Sequence, residues 1–179
     1  MLTMDRVIVD ESELAPRSLG EYEAQPCIRC RAPRILVAED DDEMRALLAS
    51  VLRGDGYDVT EVSDGLGLLH RLMYSKILFG DESGFDLIIS DIRMPDITGL
   101  DFLAGMQDDE YIPPVILITA FGDMRTHAEA ERLGAMALFD KPLDMDDFRV
   151  AVRGALAALV MVVESGPTWS SKPDPLSTS

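Results

Sequence analysis

The chain has 179 residues, 47% hydrophobic and 27% charged, so it is long enough to bury one sizeable core. Its formal net charge of −17 argues against a nucleic-acid partner, which needs a basic patch. The most apolar run, Gly154 to Val163, is too short to span a bilayer, and no membrane partner is expected. Asp5, Asp10, Glu11 and Glu13 break up any signal-peptide pattern, so a cytoplasmic protein is expected.

Residues 1–33 mix charges with Pro16, Pro26 and Pro33 and read as an extended or disordered arm. Cys27 and Cys30 form a lone Cys-Ile-Arg-Cys, with no second Cys/His pair to complete a zinc site. His70 and His127 fall inside predicted helices, so two reduced thiols on an arm is the favoured reading. A zinc shared between two chains is the weaker one.

Order begins at Arg34. Ile35-Leu36-Val37-Ala38 reads as a buried strand that stops at the acidic run Glu39 to Asp42. Asp41 or Asp42 caps a helix with apolar positions Met44, Leu47, Leu48, Val51 and Leu52, ended by Gly54 and Gly56. Tyr57 to Val62 reads as a second strand, and Asp64 starts a second helix through Met73. Residues 76–83 read as a loop. Leu87-Ile88-Ile89 is a third strand, buried on both faces, that ends at Asp91 because Met94-Pro95-Asp96 and Gly99 cannot extend it.

A helix over Leu100 to Met106, a strand Val115 to Thr119, and a helix from Gly122-Asp123 to Leu133-Gly134 follow. The fifth strand spans Ala135 to Phe139, and Asp144 or Asp146 caps a last helix reaching about Val163. Residues 164–179 read as a disordered tail. Strictly alternating strands and helices imply one doubly wound α/β domain, residues 34–163, with a parallel sheet and right-handed crossovers.

The strand ends carry the chemistry: Glu39-Asp40 after the first, Asp91 after the third, Thr119 after the fourth, Lys141 after the fifth. If the strand order is 2-1-3-4-5, the first and third strands are neighbours at the switch point where such sheets bind ligands. Glu39, Asp40 and Asp91 then converge, and a hard cation such as Mg²⁺ relieves their repulsion. With a metal and a lysine in place, Asp91 can attack a phosphoryl group and hold it as an acyl phosphate. Lys141 and Thr119 supply a positive charge and a hydroxyl donor to the phosphate oxygens.

The segments Ile35-Leu-Val-Ala-Glu-Asp-Asp, Leu87-Ile-Ile-Ser-Asp-Ile-Arg-Met-Pro-Asp, Ile116-Leu-Ile-Thr-Ala and Phe139-Asp-Lys-Pro142 resemble the receiver domain of two-component response regulators, in order and in spacing. The resemblance implies a (βα)5 flavodoxin-like fold with strand order 2-1-3-4-5. It implies Asp91 as phosphoacceptor, Lys141 and Thr119 as its charged and switching partners, and a Mg²⁺ site formed by Glu39, Asp40, Asp91 and the backbone carbonyl of Arg93. It implies a cis Lys141-Pro142 bond, and Arg93 and Phe121 as residues that tune phosphate loss.

In that family the usual aromatic partner of the threonine sits three residues before the lysine, where this chain has Leu138. Alternation along a strand sends Phe139 to the opposite face, so the aromatic switch is expected to be absent. The reading is a phosphoacceptor receiver, no enzyme beyond its own phosphorylation and dephosphorylation. It takes its phosphoryl group from a sensor histidine kinase or a histidine phosphotransfer protein and signals to an unknown protein target by contact. With 16 residues after Val163, a stand-alone receiver is expected.

The last helix is apolar nearly all round, which makes its outer face a possible homodimer or partner surface, unless the arm or tail covers it. Two alternatives compete. One is a degenerate receiver acting as a phosphorylation-independent interaction module. The other is a haloacid-dehalogenase-type phosphohydrolase, which needs a second aspartate where Arg93 stands. No phosphate-binding Gly-x-x-x-x-Gly-Lys loop is present.

Overall fold

The computed structural model describes residues 31–79, 84–107, 109 and 112–164; at 79 and 159–164 it describes the backbone alone. The expected arm and tail, with Cys27 and Cys30, lie outside the described residues except for a few positions at their edges. Five strands alternate with five helices: β1 (Arg34–Ala38), α1 (Asp42–Gly54), β2 (Asp58–Val62), α2 (Gly65–Phe79), β3 (Leu87–Asp91), α3 (Gly99–Gly105), β4 (Val115–Thr119), α4 (Met124–Arg132), β5 (Ala137–Asp140) and α5 (Met145–Glu164). All strand pairs are parallel and the sheet order is β2-β1-β3-β4-β5. The doubly wound fold read from the alternation is therefore the observed one.

Strand alternation divides the interior into two layers. Leu36, Ala38, Ile88 and Leu117 face one side, against Leu68, Leu72, Phe102, Leu103, Ala130 and Leu133 of α2, α3 and α4 or its end. Ile35, Val37, Leu87, Ile89, Ile116 and Ile118 face the other, against Leu48, Ala49, Leu52, Phe148, Val152 and Ala155 of α1 and α5. With helices on both faces, the central strands have no solvent side, which is why they read as unbroken apolar runs.

The helix starts are set by short acidic and hydroxyl side chains that accept from otherwise unpaired amides. Asp41 accepts from Met44 N (2.8 Å), Asp64 from Gly67 N (2.7 Å), Asp123 from Thr126 N (2.8 Å) and Asp144 from Asp146 N (2.9 Å). Of the two alternatives open at α1 and α5, Asp41 and Asp144 are the caps. Thr98 and Asp101 close a reciprocal capping box on α3.

Two expectations are corrected. Residues 76–79 are not loop: α2 continues to Phe79 because Lys76-Ile77-Leu78-Phe79 contains no helix breaker before Gly80. β5 begins at Ala137, not Ala135. Gly134 at φ +84° turns the chain out of α4, and Ala135 N and Met136 N bond to Ala130 O and Val115 O on the way to the sheet. The β5–α5 turn contains a cis Lys141–Pro142 bond, as the resemblance implied.

Candidate functional site

Because β1 and β3 are adjacent and parallel, both end at the same edge of the sheet. Glu39 directly follows β1 and Asp91 closes β3, with Asp40 beside them. Ligating oxygens of these three residues lie within 4.8 Å of one another. Glu39 and Asp91 are buried and Asp40 is exposed. Lys141 enters from the far side: its backbone N donates to Thr119 O at 2.7 Å, which ties the turn after β5 to the end of β4. Its Nζ donates to both Glu39 carboxylate oxygens at 2.9 Å and lies 3.6 Å from Asp91 Oδ2.

The charges do not balance. Three carboxylates share one ammonium, and the other Asp91 oxygen, Oδ1, has no hydrogen-bond partner among the described residues. Burial pushes the Asp91 carboxyl above its usual range; Lys141 opposes this, Asp40 adds to it, and the amides of Arg93 and Ile92 favour the charged form. Burial also raises Glu39, against the hydrogen bond from Lys141, while Asp91 raises it further. Burial pulls the Lys141 ammonium down, but its hydrogen bond to Glu39 and the charges of Asp91 and Glu39 outweigh that and raise it. A buried oxygen with no donor and an excess of oxygen ligands is the arrangement a hard divalent cation satisfies. The donor set fits Mg²⁺.

Thr119 is buried at the end of β4, its Oγ1 accepting from Phe121 N at 3.2 Å. The Arg93 guanidinium stacks over the Phe121 ring at 4.4 Å, so the residues two places after Asp91 and Thr119 touch across the mouth of the site. Leu138 packs with the Leu117, Ala130 and Leu133 layer. Phe139 packs with the other layer, edge-on to Phe148 at 5.9 Å. They lie on opposite faces, as alternation requires, so Phe139 does not stand in for the missing aromatic.

Of the residues singled out from the sequence, Glu39, Asp40, Asp91, Thr119 and Lys141 lie at this crevice and Arg93 and Phe121 at its mouth, whereas Leu138 and Phe139 lie in the two core layers. Two supporting residues were not singled out. Gly99 approaches so closely that a Cβ there would lie 2.6 Å from Asp91 O; its only sequence signal was the turn chemistry after β3. Arg45 donates from Nη1 to Glu39 O at 2.7 Å, one turn into α1, and nothing in the sequence marks it.

A family model for the response regulator receiver domain matches residues 35–153. The chain belongs to that family. Among its relatives, regulatory protein AtoC of Escherichia coli (strain K12) is 35% identical over 123 residues, 69% of this chain but 25% of AtoC. This receiver thus spans about a quarter of the length of AtoC and of the ZraR regulators it also matches. Sporulation initiation phosphotransferase F of Bacillus subtilis (strain 168) is 30% identical over 120 residues, 67% of this chain and 90% of that protein.

Among solved structures, the signal receiver domain of an HD domain-containing protein from Pseudomonas fluorescens Pf-5 is similar with a TM-score of 0.64 and 25% identity, covering 74% of this chain and all of that one (100%). A CheY-like receiver from Methanospirillum hungatei JF-1 shares the fold, with a TM-score of 0.63, 21% identity, and coverage of 73% and 98%. The family acts in two-component signalling, and its receivers bind Mg²⁺ at an acidic pocket, for which this chain supplies the acidic cluster. No helix among the described residues is long and apolar enough to cross a membrane.

Proposed function

We propose that this receiver is a working phosphoacceptor, with Asp91 as the accepting side chain. The observation that carries the proposal is the Asp91 carboxylate itself: buried, with one oxygen lacking a partner, in a three-carboxylate cluster and 3.6 Å from Lys141 Nζ. An Asp91 oxygen attacks the phosphorus of a phosphohistidine on a kinase or phosphotransfer protein. The phosphorus–nitrogen bond breaks, its electron pair stays on the imidazole, and that nitrogen takes a proton from solvent. Asp91 is left as an acyl phosphate.

Glu39, Asp40, Asp91 and the Arg93 carbonyl would hold Mg²⁺, which when bound neutralises charge on the phosphoryl oxygens. Lys141 supplies a positive charge already aimed between Glu39 and Asp91, which needs little reorganisation as charge builds up. Thr119 holds a hydroxyl at the neighbouring strand end. The Arg93–Phe121 pair restricts water at the mouth of the site and thereby lengthens the life of the acyl phosphate.

The output is read by protein contact in the cytoplasm, without nucleic acid. Phe121 and Met124 (66% and 90% exposed) offer a partner an apolar surface beside the site, and the α5 face, where Val150 is exposed, is a second contact surface. One observation favours another reading. With Leu138 in the aromatic position, a change at Thr119 has no rotating ring to relay it, which suits a phosphorylation-independent interaction module.

Intact mass after incubation with acetyl phosphate and Mg²⁺ separates the two. A gain of one phosphoryl group in the parent and none in Asp91→Ala supports the phosphoacceptor; no gain in either leaves the interaction module.

A further inference from the structure

The outer face of α2 is built the wrong way round for a helix facing water. Leu68, Leu72 and Ser75 point into the molecule and are buried. The opposite side should then be polar. Instead it carries Leu66 (52% exposed), Met73 (56%), Tyr74 (50%), Ile77 (78%) and Leu78 (56%), with His70 stacked on Tyr74 at 6.2 Å between ring centres. These side chains together leave on the order of 400 Å² of apolar surface in one patch, as large as the patches that mark interaction sites on monomers.

We propose that this face self-associates: a second copy of the chain packs α2 antiparallel against α2 across a two-fold axis. Three observations select a second copy as the occupant. Leu66, His70, Met73 and Ile77 step along the helix by four, three and four residues, the spacing of a helix–helix seam. The stripe is also close to self-complementary when reversed. Leu66 meets the partner's Ile77, and His70 meets the partner's Met73, so each copy offers what the other needs.

Charge supplies the third. Each chain carries 33 acidic residues and a net charge of −17, so two copies repel over most approaches. Residues 65–79 contain no Asp or Glu; their cations are Arg71, on the flank, and Lys76, which is paired with Asp109. Along residues 65–79 themselves, two copies therefore meet without opposing carboxylates. Among its described side chains, α5 exposes one large apolar residue, Val150, and is the poorer candidate.

Joining two such faces buries on the order of 1,000 Å², the lower end of specific interfaces, so the dimer is weak and concentration-dependent. Sedimentation velocity over a concentration series tests it on the full chain. The parent shifts from monomer to dimer as concentration rises, and Ile77→Glu moves the midpoint at least tenfold higher while accepting phosphate from acetyl phosphate as the parent does. Because residue 77 is on the surface, this variant folds.

Mixing Leu66→Glu with Ile77→Lys then separates the antiparallel seam from other arrangements. The mixture associates more tightly than either variant alone, since only the antiparallel pairing sets 66 against 77. A parent that stays monomeric throughout, as it would if another segment or a different protein occupies α2, overturns the proposal. So does an Ile77→Glu variant that associates like the parent, or a mixture no tighter than its components.

Discussion

Replacing Asp91 by Asn should stabilise the metal-free protein, although it removes the residue on which function is proposed to depend. At an effective dielectric of about 20, two carboxylate oxygens no more than 4.8 Å apart repel by at least about 3.5 kcal/mol, and the Lys141–Asp91 pair at 3.6 Å attracts by about 4.6 kcal/mol. Repulsion from Glu39 and from Asp40 thus offsets most of the lysine's attraction. The Coulomb terms nearly cancel, so the desolvation of Asp91 decides the sign, and it favours the neutral side chain.

The expected gain is about 1–3 kcal/mol at pH 7 in EDTA, or roughly 3–10 °C in Tm for a domain of this size. A carboxylate whose folded pKa is raised binds its proton more readily folded than unfolded. Its cost is therefore fully present above the folded pKa and is relieved as pH falls through it. The gain should shrink as pH falls toward the ordinary aspartate range, and adding Mg²⁺ should narrow it by stabilising the parent more than the variant. Urea unfolding at several pH values, with EDTA or Mg²⁺, measures all three effects. An Asn variant no more stable than the parent at pH 7 in EDTA, or a gain that ignores pH, refutes the reasoning.

Three further outcomes follow from neighbouring contacts. Lys141→Gln leaves Glu39 buried without a counter-charge and should cost roughly 3 kcal/mol at pH 7. Glu39 is then raised further, so urea midpoints should show the loss shrinking as pH falls and Glu39 takes up its proton. Gly99→Ala forces a methyl against Asp91 O and Ser90 Oγ, and should cost roughly 2 kcal/mol in urea unfolding while weakening Mg²⁺ binding, read by Phe or Tyr fluorescence or calorimetry. Arg149 Nε donates to Asp55 at 2.7 Å, and this bond, with the guanidinium charge, holds the Asp55 carboxyl below its usual range. That contact therefore stabilises above the unfolded aspartate pKa and is lost as pH falls through the lowered one; Asp55→Asn should flatten that part of the acid-unfolding profile.

The fold was legible because two levels of the sequence agree. Runs such as Ile35 to Ala38 and Val115 to Thr119 fit a doubly covered parallel sheet, and short acidic caps announce every helix but α3, whose cap Thr98 was not read in advance. What stayed hidden depended on tertiary contact. The end of α2 was misjudged because residues 76–79 lie just before a polar, Gly-containing stretch, and propensity alone does not say where a helix meets its last packing partner.

The site was legible because strand order turns distant residues into neighbours: Glu39, Asp91, Thr119 and Lys141 are far apart in sequence, yet one sheet edge gathers them. Which carboxylate takes the lysine was not legible. Lys141 bonds Glu39 through both oxygens and only approaches Asp91, a choice fixed by the turn after β5. Gly99 and Arg45 act through the backbone, at Asp91 O and Glu39 O, and carry no side-chain signature to read in advance.

The central claim is that Asp91, and no other carboxylate of this acidic chain, receives the phosphoryl group. Borohydride reduces an aspartyl phosphate to homoserine, which marks the acceptor for peptide mapping after exposure to acetyl phosphate and Mg²⁺. The account predicts homoserine at position 91 alone, dependent on Mg²⁺. Homoserine at Asp40 or elsewhere, or no homoserine in a protein shown to be folded and Mg²⁺-loaded, would contradict it.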